Sequence, residues 1–205
     1  MFSTRPHDLL RLSNASLLAP EAPPWVTCAL GATPWIVVRR GPAPMGRIAV
    51  GVRGTSRSER YATAVDPDDV CEVVGPEDLA HVLPRAGREL AAMCTLQSVR
   101  GALDDTRLPW GPTGSIGFEL ATGISTATTE SDLDLLVRLP RGSQGGLVLL
   151  AALHREFRSL AVRVDCQVET PSGAVALAEL AGGQSDVMLR TAAGPRLVPR
   201  AVAVS

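Results

Sequence analysis

The first third of the chain is built from short apolar runs separated by turn residues. Pro34 to Arg40 (PWIVVRR) and Arg47 to Gly54 (RIAVGVRG) flank the loop GPAPMG, and this arrangement predicts a β-hairpin. Apolar side chains then recur at helical spacing after Pro84, until Gly101 weakens the pattern. The pattern therefore predicts a mostly β segment followed by an amphipathic helix that starts at Pro84.

The rest of the chain alternates between helical and strand-like patterns. A turn rich in Gly and Pro (residues 109–117) leads into FELATGIS, which we interpret as an added hairpin. The elements predicted after it are a strand at Thr129 to Leu139, a helix opening at Gly145 and Gly146, a strand at Leu160 to Thr170, a short helix at Val175 to Ala181 and a strand at Val187 to Thr191. Turn signals cluster at Gly75 to Pro84. We predict an α+β protein, with a mostly β domain at residues 1–79 and an α/β domain with a mixed sheet at residues 80–205.

Composition narrows the possible classes of function. The chain has 205 residues and 45% apolar side chains, which is enough for a packed core without disulfides or structural metals. Twenty basic residues nearly cancel 21 acidic ones, so no overall positive field is available to hold nucleic acid. All 20 basic residues are arginine. This excludes a lysine Schiff base and a P-loop lysine, and favours the arginine fork for any local phosphate site.

The cysteines and the N-terminus indicate a cytoplasmic protein that contacts no membrane. No two of the four cysteines form a C-x-x-C pair, so we expect reduced thiols that fill the core. The opening residues MFSTRPHDLL lack an apolar signal region. The longest uncharged stretch, residues 22–38, is interrupted by three prolines.

Charge is segregated within the first third of the chain. Six arginines between Arg39 and Arg60 are accompanied only by Glu59, and six acidic residues follow between Asp66 and Asp78. Arg53, Arg57 and Arg60 are spaced closely enough to converge on one anion. Two interpretations remain open: a solvated hairpin beside an acidic loop, and an anion-binding surface.

The strand TESDLDLLVRL carries two carboxylates, Asp132 and Asp134. Because they are separated by one leucine, a strand would project both from one face, about 6.6 Å apart at ~3.3 Å per residue. Two acids on an apolar strand repel each other and lose hydration, and a divalent cation between them reverses both costs. The alternative is a solvated edge strand.

A third acid is predicted on the next strand, LAVRVDCQVET. Its valines and Cys166 form one face, and Arg163, Asp165 and Glu169 lie on the other. If the two strands pair directly, Asp165 is the candidate to complete a metal and proton-transfer site, and Glu169 is the alternative. Arg163 is either a substrate contact or a structural partner to one of these acids.

Gly114 and Ser115 precede these strands in a loop where free backbone N–H groups allow close approach of a phosphate. The order G-S, D-x-D and a later acid resembles the nucleotidyltransferase superfamily of the DNA polymerase β type. That resemblance implies a nucleotidyltransferase fold for the second domain. Sixteen residues separate Ser115 from Asp132, which is more than the superfamily pattern usually carries.

A narrower resemblance runs nearly end to end. The segments RPHDLLRL, VGVRGTSRSERYA, WGPTGSIGFELATG, SDLDLL, RVDCQVETPSGAVALAE and MLRTAAGPRLV resemble, in order, the malonate decarboxylase holo-acyl-carrier-protein synthases, also called phosphoribosyl-dephospho-CoA transferases. The resemblance implies transfer of the prosthetic group from triphosphoribosyl-dephospho-CoA to a serine of the decarboxylase's acyl carrier protein subunit, with release of pyrophosphate.

The resemblance also implies roles for individual residues. Asp132 and Asp134 would hold Mg²⁺, and Asp165 would take the serine proton or share the metal. Gly114 and Ser115 would hold the triphosphate. Our own hypothesis is that Arg53, Arg57 and Arg60 bind the donor's phosphates, and Arg163 is a further candidate for substrate binding. Two alternatives remain: transfer of an ordinary nucleoside monophosphate from an NTP to a small hydroxyl acceptor, and a catalytically inactive protein of this fold that binds a partner.

Overall fold

The computed structural model describes residues 3–14, 21–56, 58–143 and 146–204. Contacts between residues divide the chain into two compact units, Met1–Gly75 and Pro76–Ser205. Each unit has its own hydrophobic core. Across the described residues, no helix combines the length and the apolar character needed to cross a membrane.

In its described residues, the first unit is a five-stranded antiparallel sheet with one helix. Its elements are β1 (Leu9–Leu12), α1 (Pro24–Ala32), β2 (Trp35–Val38), β3 (Ile48–Arg53), β4 (Arg60–Val65), a 3₁₀ turn (Pro67–Asp69) and β5 (Val70–Val74). The strand order is β4-β3-β2-β1-β5. Val26 and Leu30 of α1 pack against the buried face of the sheet around Ile36 and Val50.

The predicted hairpin is confirmed, because β2 and β3 pair antiparallel with Val37 opposite Gly51. Helix α1 is not among the predicted elements. It lies in a segment whose prolines suggest a loop, but Pro24 occupies the first turn, where a missing N–H costs nothing.

The second unit contains a six-stranded sheet and five helices in the described part of the chain. Its elements are a 3₁₀ turn (Pro76–Leu79), α2 (Ala91–Asp105), β6 (Trp110–Pro112), α3 (Gly114–Thr122), β7 (Leu133–Arg138), α4 (Gly146–Phe157), β8 (Val164–Thr170), β9 (Gly173–Ala176), α5 (Leu177–Ala181), β10 (Asp186–Thr191), β11 (Gly194–Pro199) and α6 (Arg200–Ala203). The strand order is β11-β10-β9-β8-β7-β6. Strands β7 and β8 run parallel, and the other pairs are antiparallel. The predicted α+β class with a mixed sheet is therefore confirmed.

Strand β7 alternates between two environments. Leu133, Leu135 and Val137 are buried in the core that α2 and α4 also line. Asp134, Leu136 and Arg138 occupy the intervening positions of the strand. The predicted split between core-facing leucines and a separate face carrying the acid is confirmed for Leu133, Leu135 and Asp134, whereas Leu136 is a buried leucine on the same face as the acid.

Four predictions of where elements begin or what they form are wrong. The strand predicted from Leu160 begins only at Val164, as β8. Helix α2 begins at Ala91 rather than Pro84, because Leu90 is still extended and the intervening residues form a loop. FELATGIS is not a hairpin: most of it belongs to α3, which ends where Gly123 adopts a φ of 70°. Asp132 lies just before β7 rather than within it.

Three strands of the second unit were not predicted. Strand β6 lies within residues 109–117, which were predicted as a turn. Val175 and Ala176, predicted as helix, belong to β9, and α5 begins only at Leu177. Strand β11 (GPRLVP) is a mostly exposed edge strand with two prolines, so neither alternation nor β propensity marks it in the sequence.

Candidate active site

Asp134 and Asp165 stand directly opposite each other on the parallel strands β7 and β8. The register pairs Leu133 with Val164, Asp134 with Asp165 and Leu135 with Cys166. Partners in a parallel pair point to the same face of the sheet, so both carboxylates project from one surface. Asp134 is half-buried, and the side chain of Asp165 is 51% exposed.

Gly114 lies against the Asp134 carboxylate. The backbone N–H of Thr113 donates to the Asp134 carbonyl (2.9 Å), which ties the start of α3 to β7. Gly114 has a φ of 60°, and a β-carbon at this position would overlap Asp134 Oδ2. Both the conformation and the close approach require glycine.

Helix α3 opens toward the same carboxylate. Its first backbone N–H groups have no partner within the helix, since i→i−4 bonding begins only when Gly117 donates to Thr113. Thr113, at the N-cap, makes no side-chain capping bond. The first turn therefore offers N–H donors beside Gly114, as an anion site requires.

Ser115 connects this turn to the loop that precedes β7. Its hydroxyl donates to Ser131 Oγ (3.3 Å), and Ser131 Oγ also accepts from the Thr128 backbone N–H (3.0 Å). Thr126 Oγ1 donates to the Ser115 carbonyl (3.0 Å). Asp132, which directly follows Ser131, is thereby held near the first turn of α3.

Glu119 is a buried acid that the sequence analysis did not single out. Its carboxylate accepts from Arg88 Nε (2.6 Å) and Nη2 (2.9 Å), and from the N–H groups of Thr126 (3.0 Å) and Ala127 (2.9 Å). Arg88 also donates to the Ala127 carbonyl (2.9 Å). Burial alone raises the pKa of Glu119, but these hydrogen bonds and the Arg88 charge lower the net pKa below its ordinary value. Glu119 therefore anchors the loop that carries Ser131 and Asp132.

Glu169, the alternative third acid, serves a different partner. It is paired in register with Arg138, and its carboxylate lies 3.7 Å from Arg138 Nη1. Arg138 is buried and also forms an ion pair with Glu77. Glu169 thus contributes to neutralising a buried guanidinium four residues along β8 from Asp165.

Arg163 forms an ion pair with Asp165, at 3.6 Å between Nη2 and Oδ2. The arginine side chain is 71% exposed, so water screens this pair strongly. The contact places a guanidinium beside Asp165.

The expectation that all four cysteines fill the core is wrong for three of them. Cys28, Cys71 and Cys94 are exposed, on α1, β5 and α2 respectively, and all four thiols are free. Apolar periodicity does not separate a cysteine on the outer face from one on the inner face. Cys166 is buried, and burial together with the nearby Asp165 charge raises the pKa of its thiol, so it stays protonated.

The N-terminal arginines lie on the β3–β4 pair of the first unit. Arg53 and Arg60 are exposed and directly opposite in register. Their like charges repel each other in this position, and a bound anion would offset the repulsion. Arg57 lies outside the described residues. Glu59 closes the connecting turn, since Ser56 N–H donates to its carboxylate (2.9 Å) and lowers its pKa.

The acids suit a metal ion whose coordination shell is completed by oxygens of the substrate. Among the described residues, no three His, Cys, Asp or Glu side chains are grouped closely enough to hold a metal by themselves. Mg²⁺ usually takes one or two carboxylates and completes its shell with water and phosphate oxygens. Asp134, next to a turn of N–H donors, is a hard ligand of this kind, with Asp132 two residues away, so the donor set fits Mg²⁺.

Comparisons with known proteins cover almost the whole chain. Residues 5–76 match the phosphoribosyl-dephospho-CoA transferase MdcG N-terminal domain, and residues 78–201 match the MdcG C-terminal domain. No solved structure shows a significant match.

Curated relatives give the same result. A protein of Pseudomonas fluorescens is 41% identical over 94% of this chain and 91% of its own length. One from Azotobacter vinelandii is 42% identical over 95% and 92%, and one from Pseudomonas aeruginosa is 40% identical over 94% and 91%. All three are named phosphoribosyl-dephospho-CoA transferase. The chain therefore belongs to the phosphoribosyl-dephospho-CoA transferase family.

Proposed function

We propose that this protein transfers the phosphoribosyl-dephospho-CoA group from 2′-(5″-triphosphoribosyl)-3′-dephospho-CoA to a serine hydroxyl of the malonate decarboxylase acyl carrier protein. The observation that carries the chemistry is the register of β7 and β8, which sets Asp134 beside Asp165. Gly114 adds a turn of N–H donors to the same place. Membership in the family supports the identity of the transferred group.

The reaction is a substitution at the α-phosphorus of the donor. The serine oxygen forms a bond to that phosphorus, the bond from phosphorus to the bridging oxygen breaks, and pyrophosphate leaves with the bonding electrons. The serine proton passes to the carboxylate of Asp165 and from there to solvent. Asp165 suits this role because its side chain is half-exposed and the guanidinium that pairs with it, Arg163, is itself mostly in water.

The first turn of α3 holds the triphosphate. The missing side chain of Gly114 lets the phosphates approach the backbone, and the free N–H groups of the turn donate to their oxygens. Ser115 exchanges its present bond to Ser131 for one to a phosphate oxygen.

Asp132 and Asp134 hold Mg²⁺ in this proposal. A triphosphate and the Asp134 carboxylate would repel each other at the same turn, so a cation between them is required for the donor to bind. When bound, the metal neutralises charge that develops on the phosphate oxygens.

The arginines extend donor binding beyond the reacting phosphates. Arg163 borders Asp165 and contacts the donor once its weak surface ion pair opens. Arg53, Arg57 and Arg60 supply guanidinium groups to an anionic part of the donor.

Mass spectrometry of the acyl carrier protein tests the proposal. After incubation with enzyme, donor and Mg²⁺, we expect a mass increase equal to the phosphoribosyl-dephospho-CoA group and one pyrophosphate released per carrier. A carrier whose acceptor serine is replaced by alanine should gain no mass. Enzyme with Glu156→Gln, an exposed acid on α4, serves as a matched control and should retain full transfer.

Two results would replace this proposal with another. Transfer of a nucleoside monophosphate from ATP to a small hydroxyl compound, without modification of the carrier, would establish an ordinary nucleotidyltransferase. Binding of the carrier in chelator without any transfer in Mg²⁺ would establish an inactive partner-binding protein.

A further inference from the structure

A cavity of about 250 Å³ lies beside Asp165 in the second unit. It is formed where the end of α4, the start of β8 and the start of α5 meet. Part of its wall is apolar, contributed by Phe157, Leu160 and Leu177. Asp165 itself lies on the border of the cavity, so whatever binds there is next to the proposed proton acceptor.

Three basic side chains also line the cavity. They are His154, Arg158 and Arg163. Arg158 is exposed, and within the described residues its side chain makes no hydrogen bond or ion pair. Of the described residues that line the cavity, Asp165 is the sole acid. The cavity therefore combines an apolar surface with guanidinium groups that can bind phosphate.

The volume decides how much of the donor fits. Cavities that enclose a whole drug-sized ligand measure roughly 300 to 1,000 Å³, so this one holds only a part of so large a donor. In the donor, one ribose separates the reacting phosphorus from the adenosine, and a diphosphate leaves the 5′ carbon of that adenosine. When the reacting phosphorus lies at Asp165, the adenosine lies one ribose away and can reach a cavity that Asp165 borders. The mixed apolar and basic lining of the cavity matches a flat base followed by phosphates.

We propose that this cavity binds the adenosine diphosphate part of the donor, with the adenine against the apolar wall and the diphosphate at Arg158. The inference rests on the proposed function and assigns a place to the part of the donor that does not react. Binding of this part holds the α-phosphorus near Asp165 without any contact to the triphosphate.

Calorimetry of the full chain with 3′-dephospho-CoA in chelator tests the proposal without requiring turnover. We expect Arg158→Ala to weaken binding at least tenfold. Arg155→Ala is the matched control, because Arg155 is exposed near the end of α4, three residues before Arg158, and does not line the cavity. The affinity of this variant for 3′-dephospho-CoA should be unchanged. Ala178→Phe fills the cavity from an exposed position and should also weaken binding at least tenfold.

Further probes separate this inference from the proposed function. ADP should bind within about threefold of dephospho-CoA, and inorganic triphosphate with Mg²⁺ should bind Arg158→Ala as well as wild type. If the carrier is modified but both cavity variants bind dephospho-CoA normally, the inference fails and the function stands. Binding of dephospho-CoA but not of ADP would assign the cavity to the pantetheine arm and overturn the inference. If dephospho-CoA binds as expected and the carrier gains no mass, the proposed function fails instead.

Discussion

The carboxylate of Asp134 fills the space that a β-carbon on Gly114 would occupy. The Gly-Ser turn and the D-x-D segment are therefore parts of one structure, joined further by the bond from Thr113 N–H to the Asp134 carbonyl (2.9 Å). A change at Gly114 must displace an acid 20 positions along the chain.

Gly114→Ala should consequently impair both stability and transfer. Alanine at a φ of 60° costs about 1 kcal/mol or more, and its methyl group pushes the Asp134 carboxylate aside. A displacement of this size lowers turnover about 100-fold, which an assay of pyrophosphate release would measure. Gly142→Ala is the matched control, because Gly142 has a φ of 78° but open space around it. That variant should lose some stability and keep its activity; equal losses of activity in both variants would show that strain alone is responsible.

Asp132 and Asp134 should matter for metal-assisted transfer rather than for folding. Asp132→Asn and Asp134→Asn should each remove nearly all transfer, while the thermal midpoint without metal stays the same or rises slightly as repulsion is relieved. Mg²⁺ with donor should raise the midpoint of wild type by mass action and that of the variants much less. Circular dichroism of each variant must match wild type. Full transfer by wild type in chelator would contradict the metal assignment.

Substitution of the two acids of β8 should have different effects on turnover and on stability. Asp165→Asn should abolish turnover with little loss of stability, because the side chain is half-exposed and its ion pair with Arg163 is weak. Glu169→Gln should keep turnover but destabilise the fold by about 1 to 3 kcal/mol, since buried Arg138 loses part of its counter-charge. Denaturant unfolding and transfer assays on both variants measure the difference. The opposite ranking would move the reacting site to the other end of β8.

Arg60 provides the test of the N-terminal arginines. Arg60→Ala should weaken donor binding by about 1.5 to 3 kcal/mol, the scale of a hydrogen bond to a charged group, and leave the fold intact. Arg47→Ala is the control, because Arg47 is also exposed but lies just before the opposite end of β3. Titration of donor into each variant measures the affinity. Unchanged affinity in Arg60→Ala would leave these arginines as solvated surface residues.

The strongly periodic elements of the second unit can be predicted from sequence. The alternation in Leu160 to Thr170 marks β8, and the apolar stretch after Gly146 is long enough to mark α4. The pairing of Asp134 with Asp165 follows once β8 is placed beside β7. Helix α3 cannot be predicted in this way, because the glycines at its two ends suggest a loop when the sequence is read without its contacts. What makes it a helix is packing: Ile116 is fully buried in the core and Glu119 is held by Arg88.

Contacts between distant residues explain why Glu119 was missed. Its partner Arg88 lies 31 positions away, in a segment that was predicted to be helical and is a loop. Neither residue belongs to a motif with metal or phosphate chemistry. The only signal in the sequence is an acid within an otherwise apolar stretch, GFELATG, which marks a buried charge and therefore a partner to be found.

The Glu119 network should make the protein sensitive to acid. The pKa of Glu119 is lower in the folded protein than its ordinary value of 4.5, so the carboxylate stabilises the fold above that value. This contribution is lost as the pH falls from 4.5 through the folded pKa, because protonation removes acceptors for Arg88 and for the N–H groups of Thr126 and Ala127. Glu119→Gln lacks the charge at every pH, so thermal midpoints from pH 7 down to about pH 3 should show a gap to wild type that narrows below pH 4.5. Glu130→Gln, an exposed acid in the same loop, should follow the wild-type curve. A difference in thermal midpoint that stays constant to pH 3 would mean that Glu119 stabilises the fold through packing rather than through its charge.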